Sequence, residues 1–277
     1  MQEPNLQNIE NVSKSTIGFI KGKYKKHRAL YIYLAVFLFI LGFAFMNFFS
    51  LFVVIIVVAG YYALIRQKMQ AIFMQQVAEK LKYEYLPLLD LSAVNGNLFK
   101  IGHSQLIKNA ITGFYNNLPI KIFNYNFSIG HGKQKRTFFY TIFEIETKSE
   151  MPDMILLRND FFAFTNLNQL TLGKEKLNLE GDFNKYFKLY IPKDFQIEAL
   201  QIFTPDVMAE LIDKFKNVDM SIEINSNKIY LFFEKIISKK DEFLLSYGLI
   251  QKFSEKFTHN INDVGYHLKS YREYFEK

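Results

Sequence analysis

The chain has 277 residues, with 34 Lys+Arg against 27 Asp+Glu, 49% hydrophobic residues, 30 Phe, 17 Tyr, and neither Cys nor Trp. That length accommodates one domain with a smaller appendage, or two small domains, and the aromatic content excludes a disordered tail. Without cysteine there is no disulfide framework, no thiolate zinc site, no iron–sulfur cluster and no cysteine nucleophile.

The positive charge is concentrated at one end. Residues 1–85 carry 10 Lys+Arg and 4 Asp+Glu, a net +6, whereas residues 86–277 carry 24 and 23, a net +1. A nucleic-acid-binding domain places its excess on the folded domain, as a stripe that neutralises phosphates. Here the excess flanks an apolar segment, which excludes nucleic acid as a partner and points to the lipid bilayer.

In chain order, residues 1–28 read as a cytosolic tail; Leu6, Ile9, Val12, Ile17 and Phe19 would alternatively make a helix lying on the membrane surface. From Ala29 to Ile65 follow 37 residues without a charged side chain. As one helix they would run about 55 Å, nearly twice a hydrocarbon core of about 30 Å, and tilt cannot absorb that excess. Split near Met46-Asn47-Phe48-Phe49-Ser50, they make two spans, about 29–46 and 50–66. Lys21, Lys23, Lys25, Lys26 and Arg28 precede the first span, Arg66 and Lys68 follow the second, and the turn is uncharged. Positive residues stay inside, so both termini are expected in the cytoplasm, on a multi-pass hairpin in the inner membrane. Tyr31, Tyr33, Tyr61 and Tyr62 then form one aromatic belt on that side. No Ala-x-Ala-like cleavage site follows the first span, and neither span holds an ionisable residue for an ion path, so the pair reads as an anchor.

Residues 67–85, with Met69, Ile72, Phe73, Val77 and Leu81 on one side, predict an amphipathic stalk that Pro87 stops. Residues 86–277 form the cytosolic domain. Thr112–Tyr115 and Ile120–Ile129 read as strands around an Asn116-Asn117 turn, and Gly130-His131-Gly132-Lys133 as the next turn. Thr137–Thr147 is a long aromatic strand that Pro152 interrupts and Met154–Leu157 resumes; Lys185–Ile191 is another. Thr204-Pro205-Asp206 has the N-cap, first-position proline and acidic first turn of a helix running to about Asn217. Ser221–Ile224 and Ile229–Phe233 predict a hairpin around Asn225-Ser226-Asn227. Apolar residues at steps of three or four from Phe243 to Phe275 predict a long C-terminal helix, broken near Asn262-Asp263. The fold class is α+β: an N-terminal transmembrane helical hairpin, then an antiparallel sheet with that long helix.

Phe123-Asn124-Tyr125 before the Gly130-x-Gly132-Lys133 turn, the Pro152 break, Asp182-Phe183-Asn184-Lys185-x-Phe187 and Phe203-Thr204-Pro205 come in a familiar order. Over residues 29–260 it resembles a group of uncharacterised bacterial inner-membrane proteins with a two-span anchor and a cytosolic α+β domain of unknown function. The chain departs from that pattern at Met151-Pro152-Asp153-Met154, where Leu-Pro-x-Phe is expected. The resemblance implies the topology and carries no catalytic residue.

Gly130-His131-Gly132-Lys133-Gln134 lacks the spacing, the Ser/Thr and the following helix of a phosphate loop, so it reads as a glycine-permitted turn. Its Lys133, Lys135 and Arg136 are solvated charge on the plainer reading, and a contact for anionic lipid headgroups on the sharper one. The five His show no metal-site spacing, and Glu144 and Glu146 share a strand face expected to be solvated. No catalytic, cofactor-binding or metal-binding residue is assigned. The leading function is therefore a non-enzymatic, membrane-anchored interaction or scaffold domain with a protein partner. Its rival is a lipid or small apolar ligand-binding domain with a cavity between the sheet and the C-terminal helix. An enzyme whose site follows no motif is a third.

Overall fold

The computed structural model describes residues 32–40, 48–159 and 170–275. The tail 1–28, the basic flank Lys21–Arg28, most of the expected first span and the Asn47 turn lie outside them. Residues 32–40 (α1) are helical and mostly exposed. α2, Phe48–Leu81, is one uninterrupted helix of 34 residues. Its Phe52–Leu81 stretch is long and apolar enough to cross a bilayer, with none of its most apolar window buried in the domain. A second membrane-crossing helix is not shown among the described residues.

The two halves of α2 differ in environment. Phe52, Ile55, Ile56, Val58 and Leu64 are more than half exposed, whereas Phe73, Met74, Val77, Ala78 and Leu81 are buried. The helix ends at Leu81, not at Pro87. Lys82 turns left-handed (φ 58°), Tyr83 N–H bonds Ala78 C=O at 2.8 Å and Lys82 N–H bonds Glu79 C=O at 3.3 Å. That pair of bonds is a Schellman stop, which closes the helix before proline is reached. Pro87 lies instead in β1, Glu84–Leu89, an edge strand where a missing N–H leaves no ladder position empty.

The sheet is antiparallel throughout and seven-stranded. β2 (His103–Tyr115) and β3 (Leu118–Ile129) are joined by Asn116 and Asn117, whose φ angles of 48° and 61° suit a two-residue hairpin turn. β4, Arg136–Arg158, has 23 residues and forms the spine. β3 pairs with its first half and β6 (Phe187–Ile191) with its last residues, while β7 (Met220–Phe233) follows the opposite edge. β5, Glu175–Leu177, flanks β6. Pro152 does not end β4; the strand bulges around it, with register shifts between Glu146 and Met154.

The expected hairpin at Asn225–Asn227 is instead the middle of the single strand β7. Its two halves pair with β4, not with each other, and Ser226, at φ 55°, absorbs the bend opposite the β4 bulge. Two further one-turn or short helices, α3 (Phe183–Tyr186) and α4 (Gln196–Ile202), precede α5 (Pro205–Phe215). Residues 183–186 were expected as strand in part; the strand starts at Phe187. Thr204 occupies the N-cap position of α5 without a side-chain capping bond. α6, Lys240–Phe275, is continuous through Asn262-Asp263. Ile261 and Val264 are buried there, while His259 and Asp263, with Nδ1 3.0 Å from the carboxylate one turn on, are exposed along an unbroken helix.

Each face of the sheet has its own core. On one, the second half of α2, with α5 and α6, packs on Ile111, Ile122, Phe143, Met154, Ile222 and Leu231. Phe143 contacts Phe233 and Phe243 at ring-centroid distances of 5.5 and 6.2 Å, and Phe243 stacks on Tyr247 at 5.7 Å. These rings pack between the sheet and the C-terminal helix, the place where the rival reading puts a ligand cavity. On the other face, Leu98, Phe99 and Ile101 cover Phe123, Tyr125, Phe127, Tyr140, Tyr230 and Phe232.

Candidate functional site

Strand alternation creates the site. In Phe123-Asn124-Tyr125-Asn126-Phe127 the odd residues enter the aromatic core, so Asn124 and Asn126 are turned to the α2 face. The register places Lys108 beside Asn124 and Asn124 beside Thr141. A bulge follows Lys108 in β2, where Asn109 takes φ 53° and its Oδ1 accepts the Tyr85 hydroxyl at 3.0 Å. Over this polar stretch α2 no longer seals the sheet. A cleft of about 540 Å³ opens between Ala63, Arg66, Gln67 and Gln70 of the helix, the polar ends of β2–β4, and Glu234–Ile236 after β7. That volume falls in the range of small-ligand sites, about 300–1,000 Å³.

One polar group of the cleft, Asn124, is held by a hydrogen-bond chain that starts behind it. The Ile237 N–H donates to Thr141 Oγ1 at 2.8 Å, and that hydroxyl donates to Asn124 Oδ1 at 3.2 Å. Asn124 is only 5% exposed, and its Nδ2 has no hydrogen-bond partner among the described residues. Such an orphan costs about 1–3 kcal/mol, a penalty that an acceptor reaching it from the cleft would remove. Arg66, Lys108 and Lys235 line the same cleft against one carboxylate, Glu234. Lys235 lies 3.8 Å from Glu242; Arg66 and Lys108 have no ion-pair partner among the described residues.

Lys133, Lys135 and Arg136 are exposed at the turn between β3 and β4, on the 3-10 turn Gly132–Gln134 and just after it. Gly130 is required there: at φ 75° a Cβ would lie 2.7 Å from Gln134 O. The three cations do not line the cleft, but Thr137, the next residue, does. The turn is also held to the start of β2. His131 stacks on His103 at 4.7 Å with an interplanar angle of 3°, and His103 Nε2 lies 2.8 Å from Gly130 O.

Two other buried carboxylates are held by partners from elsewhere in the fold. Glu144, expected to be solvated, is buried and holds Lys121 at 2.7 Å and Lys228 at 3.3 Å. Both lysines also donate to Ala93 C=O, which ties the covering segment to the sheet. Glu223 is fully buried and accepts the Asn97 and Leu98 N–H groups, the latter at 3.3 Å. Burial, reinforced by the nearby Asp153 charge, raises its pKa to about 7 despite those bonds. It caps a 3-10 turn and does not line the cleft beneath α2. No group of three or more metal-ligating side chains converges among the described residues.

No protein-family model matches this chain, and no curated protein matches it. The crystal structure of the mycobacterial trehalose monomycolate transport factor A, TtfA, is similar at 10% identity and a TM-score of 0.49, over 70% of this chain and 93% of that one. A superposition at that level carries no argument.

Proposed function

We propose that this chain is a non-enzymatic membrane-anchored domain, held at the cytoplasmic face of an inner membrane as a scaffold for a protein partner. One observation carries the reading. The exposed apolar half of α2 and the half buried in the domain core are a single helix with no joint between them. The domain is therefore fixed in height and tilt by its anchor, as a platform at the membrane surface requires. The cytoplasmic side follows from Arg66 and Lys68 after the span and from the basic flank before residue 29. The strand β3 runs from the α2 core toward the residues opposite Arg66, so its distal turn, with Lys133, Lys135 and Arg136, is directed toward the headgroup layer.

The chain has no cysteine, so a single introduced thiol labels it uniquely. A fluorophore on Gln134→Cys of the full chain in anionic nanodiscs should be quenched by headgroup spin labels. One on Lys148→Cys, roughly 40 Å along β4, should not. Reversing Lys133, Lys135 and Arg136 to Glu should relieve the quenching. Equal quenching at both positions, or protein extracted by alkaline carbonate, would refute the arrangement.

A further inference from the structure

We propose that the cleft beneath α2 binds the phosphate-bearing headgroup of one anionic lipid from the adjoining leaflet. The proposal rests on reading α2 as the membrane anchor and goes beyond it by naming a ligand and its site.

The lining selects the ligand by charge and by hydrogen-bond polarity. Arg66, Lys108 and Lys235 come from three elements and outnumber Glu234, so the walls carry a net +2. Arg66 and Lys108 reach the cleft from opposite walls, helix and sheet, and neither meets a carboxylate among the described residues. At the floor, Asn124 cannot turn its carbonyl inward, because Oδ1 is held by Thr141 and Thr141 by the Ile237 N–H. Its Nδ2 is a buried donor with no partner among the described residues. Two opposed cations above a fixed donor match an oxyanion, which supplies acceptors only. A neutral or cationic ligand would leave these groups uncompensated.

Position selects the source. Arg66 is the first charged residue after the uncharged run, and Ala63 and Arg66 both border the cleft. The cleft thus opens where the span leaves the hydrocarbon, at headgroup depth. Phe139, 53% exposed, lies on its rim, and Phe52, Ile56 and Leu64 continue the exposed apolar helix above it. A headgroup held by Arg66, Lys108 and Asn124 leaves its acyl chains beside that helix. A free phosphate would gain nothing from those contacts.

The test uses the full chain in phosphatidylcholine nanodiscs with and without phosphatidylglycerol, then gentle detergent extraction and native mass spectrometry. Wild-type protein should retain one phosphatidylglycerol per chain. Arg66→Gln and Lys108→Gln should each weaken retention about tenfold, the loss expected of one charge-assisted hydrogen bond. Asn124→Leu should weaken it severalfold, and unfolding temperatures should identify any variant that fails to fold. Replacing Lys133, Lys135 and Arg136 by Gln should leave retention intact. Retention that ignores all three cleft variants would overturn the proposal, as would displacement of the lipid by millimolar inorganic phosphate, which would name a soluble anion instead. Failure to incorporate into nanodiscs would refute the anchor, a separate result from failure of the cleft.

Discussion

Two stretches of one sheet face lie under the same helix and meet it differently. Beneath Phe73–Leu81 the sheet offers Ile111, Ile122 and Phe143, and helix and sheet close on buried apolar side chains. Nearer the anchor the sheet offers Lys108, Asn124 and Asn126, the helix offers Arg66, Gln67 and Gln70, and a cleft remains. Apolar pairing is satisfied by contact alone, whereas a polar pairing in which Arg66, Lys108 and Lys235 outnumber Glu234 is completed by an anion. The comparison separates residues that hold the fold from residues that wait for a ligand, and it can be broken at either end.

The closed end should show the largest loss. Phe143 is fully buried, and its truncation to Ala should cost about 3–5 kcal/mol in denaturant unfolding of the full chain in detergent. A loss below about 1 kcal/mol would mean that α2 and α6 do not rest on it.

Glu223 tests what a buried polar group costs when its partners come from within the chain. Burial lifts its pKa to about 7 from the ordinary 4.5, so the native state holds the proton more tightly than the unfolded chain. Stability from this group is therefore complete below about pH 4.5 and is lost as pH rises through about 7. The loss is of order 3 kcal/mol, at about 1.4 kcal/mol per pH unit. Glu223→Gln should flatten that segment of the stability profile; an unchanged slope between pH 5 and 7 would remove Glu223 as its cause.

Gly113 sharpens the closed end further. A Cβ there would lie 2.1 Å from the Tyr83 ring, and that ring is pinned by hydroxyl contacts to Phe114 O at 2.9 Å and Tyr247 OH at 3.0 Å. Gly113→Ala should cost about 1–3 kcal/mol through displacement of Tyr83. Thermal unfolding equal to wild type would show that the ring moves freely.

The same contrast explains what the sequence discloses. Local chemistry is legible: Asn116-Asn117 turns, Thr204-Pro205 starts a helix, and the three-four spacing from Phe243 makes α6. Tertiary pairing is not. Asn225-Ser226-Asn227 has the composition of a hairpin loop, yet β4 offered both flanks a better partner than they offered each other. Glu144 looks like a surface residue until Lys121 and Lys228, from two other strands, are folded around it. The cleft draws on Arg66, Lys108, Asn124 and Lys235, which no motif joins, and His103 meets His131 across a strand register. One trace of the site was present. Asn124 and Asn126 alternate with Phe123, Tyr125 and Phe127 in β3, which gives an otherwise aromatic strand one polar face.

The smallest stability effect is expected at the open end, and it discriminates most finely. Asn124→Leu removes an amide nitrogen that is buried without a partner, which relieves a cost of about 1–3 kcal/mol. It also takes the acceptor from Thr141 Oγ1–H, leaving that hydroxyl with its bond from Ile237 alone and returning a penalty of similar size. The leucine adds some apolar burial beside Phe139. These terms oppose one another, so the unfolding free energy should stay within about 1 kcal/mol of wild type while retention of the anionic lipid falls. A residue of the closed end cannot behave this way, because there every lost contact is a loss of fold. If Asn124→Leu instead destabilises by several kcal/mol, Asn124 belongs with the core, and the cleft floor is structural.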